Sequence, residues 1–262
     1  PQLVGFSEGI WRGVASTERK YYVQCPAPNS SHHEAFQNLE QRMAWHRDHY
    51  FQSTPFPFVV SSKMRWLIKL EAPEVTTPPD FKKPNIAWGG LVYINHFWGS
   101  TDPQRDVPGW LPHQKTKTTA WASTSFYSPV EQDAHLIIGF NTVSSSESRR
   151  GVGAPPAGAW SVLGHDVWLN ETRIAPPSWK CAEAKEPLIE SPMTDENWSM
   201  RAPPAIHLRA GWNKIIIKAP YHPGEPASWK WSFTCIPVKW DGVNFHEIPN
   251  LQFDKIDESA QR

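Results

Sequence analysis

The stretch 164-GHDVWLNETRIAPPSW-179 decides how the rest of the chain is read. Val167 and Leu169 alternate with Trp168 and Asn170, which is the two-residue period of a pleated strand. Asn170-Glu171-Thr172 supplies turn chemistry, a second short strand follows, and prolines stop it. The reading places Trp168 in a core and Trp179 at a rim. The same texture recurs on both sides. From Phe58 onward, strand-like runs alternate with clusters of Pro, Gly, Asn and Ser: MRWLIKLE, GLVYINHFWG, TTAWASTSFYS, AHLIIGFNTV, AWSVLG, DVWLNE, AIHLRA, NKIIIKAP and KWSFTCIPVKW. Short strands without helices between them predict an antiparallel β-sandwich rather than βαβ units. TDPQRDVPGWLPHQKTK and SSSESRRGVGAPPAG read as long loops between strands.

Upstream the period changes. PQLVGFSEGIWRG (1–13) begins with Pro, spaces Leu3, Phe6, Ile10 and Trp11 as a helix would, and closes on Gly13. SSHHEAFQNLEQRMAWHRDHYF predicts a second helix, capped by Ser31 with Glu34 three residues on, whose apolar face is Phe36, Leu39, Met43, His46 and Tyr50. The tail after Asp241 turns polar and is read as fraying at its end.

Composition narrows the function. With 26 Lys+Arg against 26 Asp+Glu, interspersed along the chain, the sequence offers no basic stripe for a phosphate backbone, so nucleic acid is not an expected partner. The longest apolar runs fall far short of the roughly 20 residues of a membrane-spanning helix. Three widely spaced cysteines, Cys25, Cys181 and Cys235, allow at most one disulfide, and their pairing stays open. Fifteen Trp and 26 Pro in 262 residues suit a loop-rich sandwich, and the Trp excess also suits a protein that handles sugar rings.

Candidate chemistry is sparse. His46 and His49 lie three apart with Asp48 beside them, but zincin spacing and its general-base Glu are missing, so no metal and no cofactor are expected. On this reading His46 packs on the helix's apolar face while His49 and Asp48 cap the helix or contact the next domain. There is no G-x-S-x-G, and Ser144–Ser148 reads as a solvated loop. Glu131, Asp133, Asp166 and Glu171 are the carboxylates that a glycosidase would have to pair. Trp66, Trp121, Trp168, Trp212 and Trp231 lie in or at strands, where burial is the default. Trp98, Trp110, Trp179 and Trp198 lie near loops and are the candidate sugar-contacting residues. N-x-S/T sequences occur at Asn29, Asn170 and Asn197.

Several motifs resemble one family taken in order. PQLVGFSEGIWRG resembles the final barrel helix of glycoside hydrolase family 20, the β-N-acetylhexosaminidases, with Ser7, Glu8, Trp11, Arg12 and Gly13 fitting its pattern. The helix ending MAWHRDHYF is similar to the next helix of Bacteroidetes-type members. FYSPVEQDAHLIIGF, GAWSVLGHDVWLNETRIAPPSW, AGWNKIIIKAP and WKWSFTCIPV are similar to the galactose-binding-like jelly roll appended to them. The resemblance implies a division into 1–57 (last barrel helix and linking helix), 58–241 (β-sandwich) and 242–262 (tail), in a periplasmic, cell-surface or secreted protein.

The family's chemistry depends on an adjacent Asp-Glu pair after His-x-Gly-Gly. The Asp-Glu pairs here, Asp195-Glu196 and Asp257-Glu258, lack that context. The resemblance therefore implies a non-catalytic accessory region, with no catalytic residue of its own, whose partner is the enzyme's catalytic barrel and whose possible ligand is an oligosaccharide. The rivals are an autonomous carbohydrate-binding module, marked by two or more exposed Trp or Tyr on one face, a purely structural domain, and a glycosidase in its own right. Leu3, Phe6, Ile10 and Trp11 are expected to present an orphaned apolar face.

Overall fold

The computed structural model describes residues 25–95, 110–112, 114–140, 158–176, 203–225, 228 and 231–253. The helix read at 1–13 and its apolar face lie outside them. One α-helix, α1 (His33–Tyr50), precedes eleven strands: β1 (Arg65–Glu71), β2 (Asn85–Trp88), β3 (Leu91–Tyr93), β4 (Thr118–Ser128), β5 (Gln132–Phe140), β6 (Asp166–Leu169), β7 (Thr172–Arg173), β8 (Ala205–Leu208), β9 (Gly211–Tyr221), β10 (Ser232–Trp240) and β11 (Phe245–Glu247). They form two antiparallel sheets, ordered β2-β1-β4-β9-β6-β7 and β11-β10-β5-β8, with β3 also paired to β10. The expected β-sandwich is what the chain builds. Its spine is β4 against β9, in register from Thr118 opposite Tyr221 to Ser128 opposite Gly211.

Strand alternation makes the core. The six-stranded sheet turns Trp66, Ile68, Ala120, Ala122, Phe126, Val167, Leu169, Ile215 and Ile217 inward to meet Leu136, Ile138, Phe140, Ile206, Leu208, Phe233 and Cys235. Each such large side chain contributes roughly 1.5–3 kcal/mol by leaving water. The buried indoles carry their N–H with them: Trp66 Nε1 donates to Gly89 O and Trp231 Nε1 to Ala219 O, both at 3.0 Å. Cys25 and Cys235 are free thiols. Burial, and then the Glu40 charge, push the Cys25 thiol up to about 12, so it stays protonated.

Several expectations are corrected. AWSVLG is not a strand. Its Ser161 hydroxyl accepts from Leu163 N (3.1 Å) and His165 N (3.4 Å), so a local side-chain turn replaces ladder pairing. β2 and β11, four and three residues long, went unread. β11 falls in the stretch read as tail, where it pairs with β10, and Gln252 bridges to Tyr127.

Helix α1 also departs from its reading. His32, not Ser31, is the N-cap, without a side-chain bond. The buried residues are Glu40, Met43 and Arg47, while Trp45 and Tyr50 are 47% and 67% exposed. The surface opposite explains the rotation, because it presents backbone polar groups that polar side chains, and no apolar ones, can satisfy. Glu40 accepts from Ser61 N and Ser62 N at 3.1 Å, and Arg47 donates to Phe58 O at 2.8 Å and to both Glu247 oxygens at 3.1 and 2.9 Å.

Candidate functional site

The two outer faces of the sandwich differ. That of the five-stranded sheet is covered by the segment after α1: Val59 packs on Ile137, Val238 and Phe245, Phe56 N donates to Asn244 Oδ1, and Val60 N donates to Glu247 Oε1. On the six-stranded sheet the outward phase of the strands carries aromatic and basic residues. Because Val167 and Leu169 face the core, Trp168 between them faces out, half-buried. This corrects its expected core position. The same phase puts Trp212, Lys214, Ile216 and Lys218 of β9 outward, with Trp121 and Tyr127 of β4 beside them through the pairs Trp121–Lys218 and Tyr127–Trp212.

These side chains form a layer over the sheet. Trp168 stacks on Trp121, with ring centroids 5.7 Å apart and planes at 26°. Lys218 Nζ sits 6.0 Å from the Trp121 ring. Trp121 is fully buried yet lies outside the inter-sheet core, and its indole N–H has no hydrogen-bond partner among the described residues. Tyr127 and Trp212 form an edge-to-face pair at 5.8 Å. Two rows of the pleat separate Trp212 from Trp168, roughly 13 Å along the strands. The β1–β2 connection reaches this face too: Lys69 Nζ donates to Asp80 O at 2.8 Å, and Lys214 Nζ lies 5.9 Å from the Phe81 ring.

A side-chain lock fixes the Trp168 edge. Asn170, in a left-handed turn (φ 47°), accepts from Lys214 N at 2.9 Å and donates to Asn213 Oδ1 at 2.8 Å. Asn213 donates in turn to Arg209 O (2.8 Å) and Gly211 O (3.2 Å) and accepts from Arg209 N (3.1 Å). The Asn of the GWN motif thus ties the β8–β9 turn to the β6–β7 turn. Beside them Asp166 pairs with Arg173 at 2.5 Å.

Among the residues singled out in the sequence, Trp98, Trp179 and Trp198 lie outside the described residues, as do Cys181, Ser144–Ser148 and both Asp-Glu pairs. Trp110 is half-buried and packs against the inter-sheet core. Trp66 and Trp231 are buried as strand residues should be. On α1, His49 stacks on Trp45 at 4.3 Å and Trp45 meets Tyr50 edge-on at 5.2 Å, forming an exposed aromatic group. No cluster of metal-ligating side chains occurs among the described residues. Glu131 and Asp133 both bond His207, at 2.8 Å each, on the exposed side of β8; its two carboxylate neighbours raise the His207 pKa. The outward aromatics went unread because Trp in a strand was assigned to the core. The inward phase of Ile215 and Ile217 was the available signal for Trp212.

Where α1 meets β11, a polar cleft is lined by Arg47, Asp48, Gln52, Asp241, Asn244 and His246. Its groups hold one another: Asp48 bonds Arg47 (2.7 Å) and lies 3.4 Å from His246, which contacts Asp241 at 2.7 Å. Asp241 also accepts from Asn244 N and Val243 N, which, with His246, lower its pKa to about 2. A carboxylate held low in the folded state stabilises above its ordinary pKa and loses that contribution as pH falls through the folded value. Thermal melts between about pH 4 and 2 should therefore show a shallower loss for Asp241→Asn than for the parent. Parallel acid limbs would remove Asp241 from the acid response.

The chain matches no protein-family model and no curated protein. Among solved structures it is similar to a β-glucosidase from Kluyveromyces marxianus, at 11% identity and a TM-score of 0.33, over 67% of this chain and 16% of that one. It is also similar to the PA14 domain of the MpAFP antifreeze protein, at 8% identity and a TM-score of 0.33, over 74% of this chain and 90% of that one. The chain thus spans about 16% of the length of that β-glucosidase. No helix among the described residues is long and apolar enough to cross a membrane.

Proposed function

We propose that this chain is a non-catalytic accessory region of an exported glycoside hydrolase of family 20 type, and that its sandwich contacts glycan through the outer face of the six-stranded sheet. The observation that carries the glycan reading is the placement of Trp168, Trp212 and Tyr127, all partly exposed, on one face. A flat apolar ring beside polar groups suits a pyranose, which offers C–H faces and hydroxyl edges. The spacing along the strands gives room for more than one sugar ring. The association with a family 20 barrel rests on the ordered motifs from PQLVGFSEGIWRG to WKWSFTCIPV. The opposite face, covered by 51–62, is the side from which the lead-in arrives.

The test is intrinsic Trp fluorescence of the 262-residue chain during titration with N-acetylglucosamine oligomers and galactosides, beside a chromogenic hexosaminide assay on the same sample. The expected result is a saturable shift without turnover, weakened about tenfold or more in Trp168→Ala, the scale expected when a central contact aromatic is truncated. Trp110→Ala serves as a comparison away from this face. Turnover would overthrow the non-catalytic reading, and binding indifferent to Trp168 and Trp212 would move the site elsewhere.

A further inference from the structure

The balance of charge over the whole chain is not kept on this face. The chain carries 26 basic and 26 acidic residues. Among the described residues, Asp80 of the β1–β2 connection is paired with Lys82, and on the strands of this outer face Arg65, Lys69, Lys214, Lys218 and Arg173 project from β1, β9 and β7, the strand-borne acids being Glu71 and Asp166. Both acids are already matched: Glu71 lies 3.6 Å from Lys69, and Asp166 pairs with Arg173. Arg65, Lys214 and Lys218 have no carboxylate partner among the described residues. The Lys214 and Lys218 ammonium groups lie instead 5.9 and 6.0 Å from the rings of Phe81 and Trp121.

Resting on the glycan reading above, we propose that the ligand of this face is an anionic glycan, bearing uronate carboxylates or sulfate esters, rather than a neutral one. Stacking on Trp168 and Trp212 would hold the sugar rings, and the unmatched cations between and beside them would meet the acidic substituents. Cations spread across a face, with no matching acids, attract and orient a polyanion at low ionic strength. A lysine lying over an aromatic ring also keeps its charge directed toward the face rather than into solvent.

The experiment titrates the full chain with three probes of matched length: N-acetylglucosamine hexamer, oligogalacturonate and a sulfated galactan oligomer, each at low salt and at 0.5 M NaCl. The expected result is at least tenfold tighter binding of one or both acidic probes, with the advantage shrinking at high salt. Arg65→Gln/Lys214→Gln, at exposed positions, should reduce affinity for the acidic probes by a larger factor than affinity for the neutral probe. Preference for uronate over sulfate, or the reverse, identifies the source of the charge. Equal or tighter binding of the neutral probe at both salts overturns the charge inference while the glycan reading stands. Failure of every probe overturns the glycan reading itself. Acidic-probe binding that survives Trp168→Ala unchanged but vanishes with the cation variants would be plain polyanion adsorption, and it too overturns the proposal.

Discussion

Replacing Arg47 with methionine is expected to destabilise the chain by about 3 kcal/mol, the low end of the cost of removing one member of a buried ion pair. The Arg47 side chain is 2% exposed and makes five hydrogen bonds, to Phe58 O and to the carboxylates of Asp48 and Glu247. Methionine fills much of the volume and supplies none of the donors. Glu247 and Asp48 are 37% and 42% exposed and so regain some hydration, which places the cost at the lower end. Glu40 does not compensate for the loss: burial raises its pKa, and the neighbouring Glu247 charge raises it further. The measurement is the urea-unfolding free energy. The double variant Arg47→Met/Glu247→Met should recover much of the loss, because an apolar pair replaces the ionic one without leaving an orphaned charge. A cost below about 0.5 kcal/mol for Arg47→Met would show that α1 is held by Met43 and the 51–62 segment instead.

Asn213→Ala is the second large effect, expected at about 2–3 kcal/mol, the sum of several buried groups left unsatisfied at once. Asn213 is fully buried and serves Arg209, Gly211 and Asn170 together. Its loss frees the Asn170 turn, and with it the β6–β7 hairpin that carries Trp168 and Arg173. Glycan affinity should therefore fall along with stability, although Asn213 is buried beneath the site. A double-mutant cycle with Asn170→Ala gives the coupling directly, and additive losses would mean that the two turns fold independently. Retention of full glycan affinity in Asn213→Ala would separate the lock from the binding face.

The elements legible in the sequence are those in which local pattern and tertiary demand agree. TTAWASTSFYS coincides with β4 residue for residue, and NKIIIKAP lies within β9, because an alternating β-branched strand has one way to bury its apolar half. AWSVLG misled because its apolar spacing was outweighed by the Ser161 hydroxyl, which offers the backbone nearer partners. The face of α1 misled because apolar periodicity cannot anticipate that the opposing surface presents backbone donors and acceptors. The candidate site was half visible. Trp excess was plain, but loop position was a poor guide to exposure, as Trp110 packing on the core shows.

By itself the sequence determined a β-rich chain with a helical approach and the motifs that resemble a family 20 enzyme's appended domain. These follow from periods of two and 3.6 residues and from turn chemistry, which are local. Only the tertiary structure decided which side of the sandwich α1 and 51–62 cover. With 51–62 and α1 on the five-stranded sheet, Tyr127 of β4, Trp168 of β6 and Trp212 and Lys214 of β9 are at least partly exposed on the other face, while Thr119, Trp121 and Ser123 of β4 are buried there. Residues far apart in sequence, Arg65, Trp121, Trp168 and Lys218, then share one face, and a chain of zero net charge acquires a basic, aromatic side. Strand order, a long-range property, gathers them there, and no local pattern encodes it.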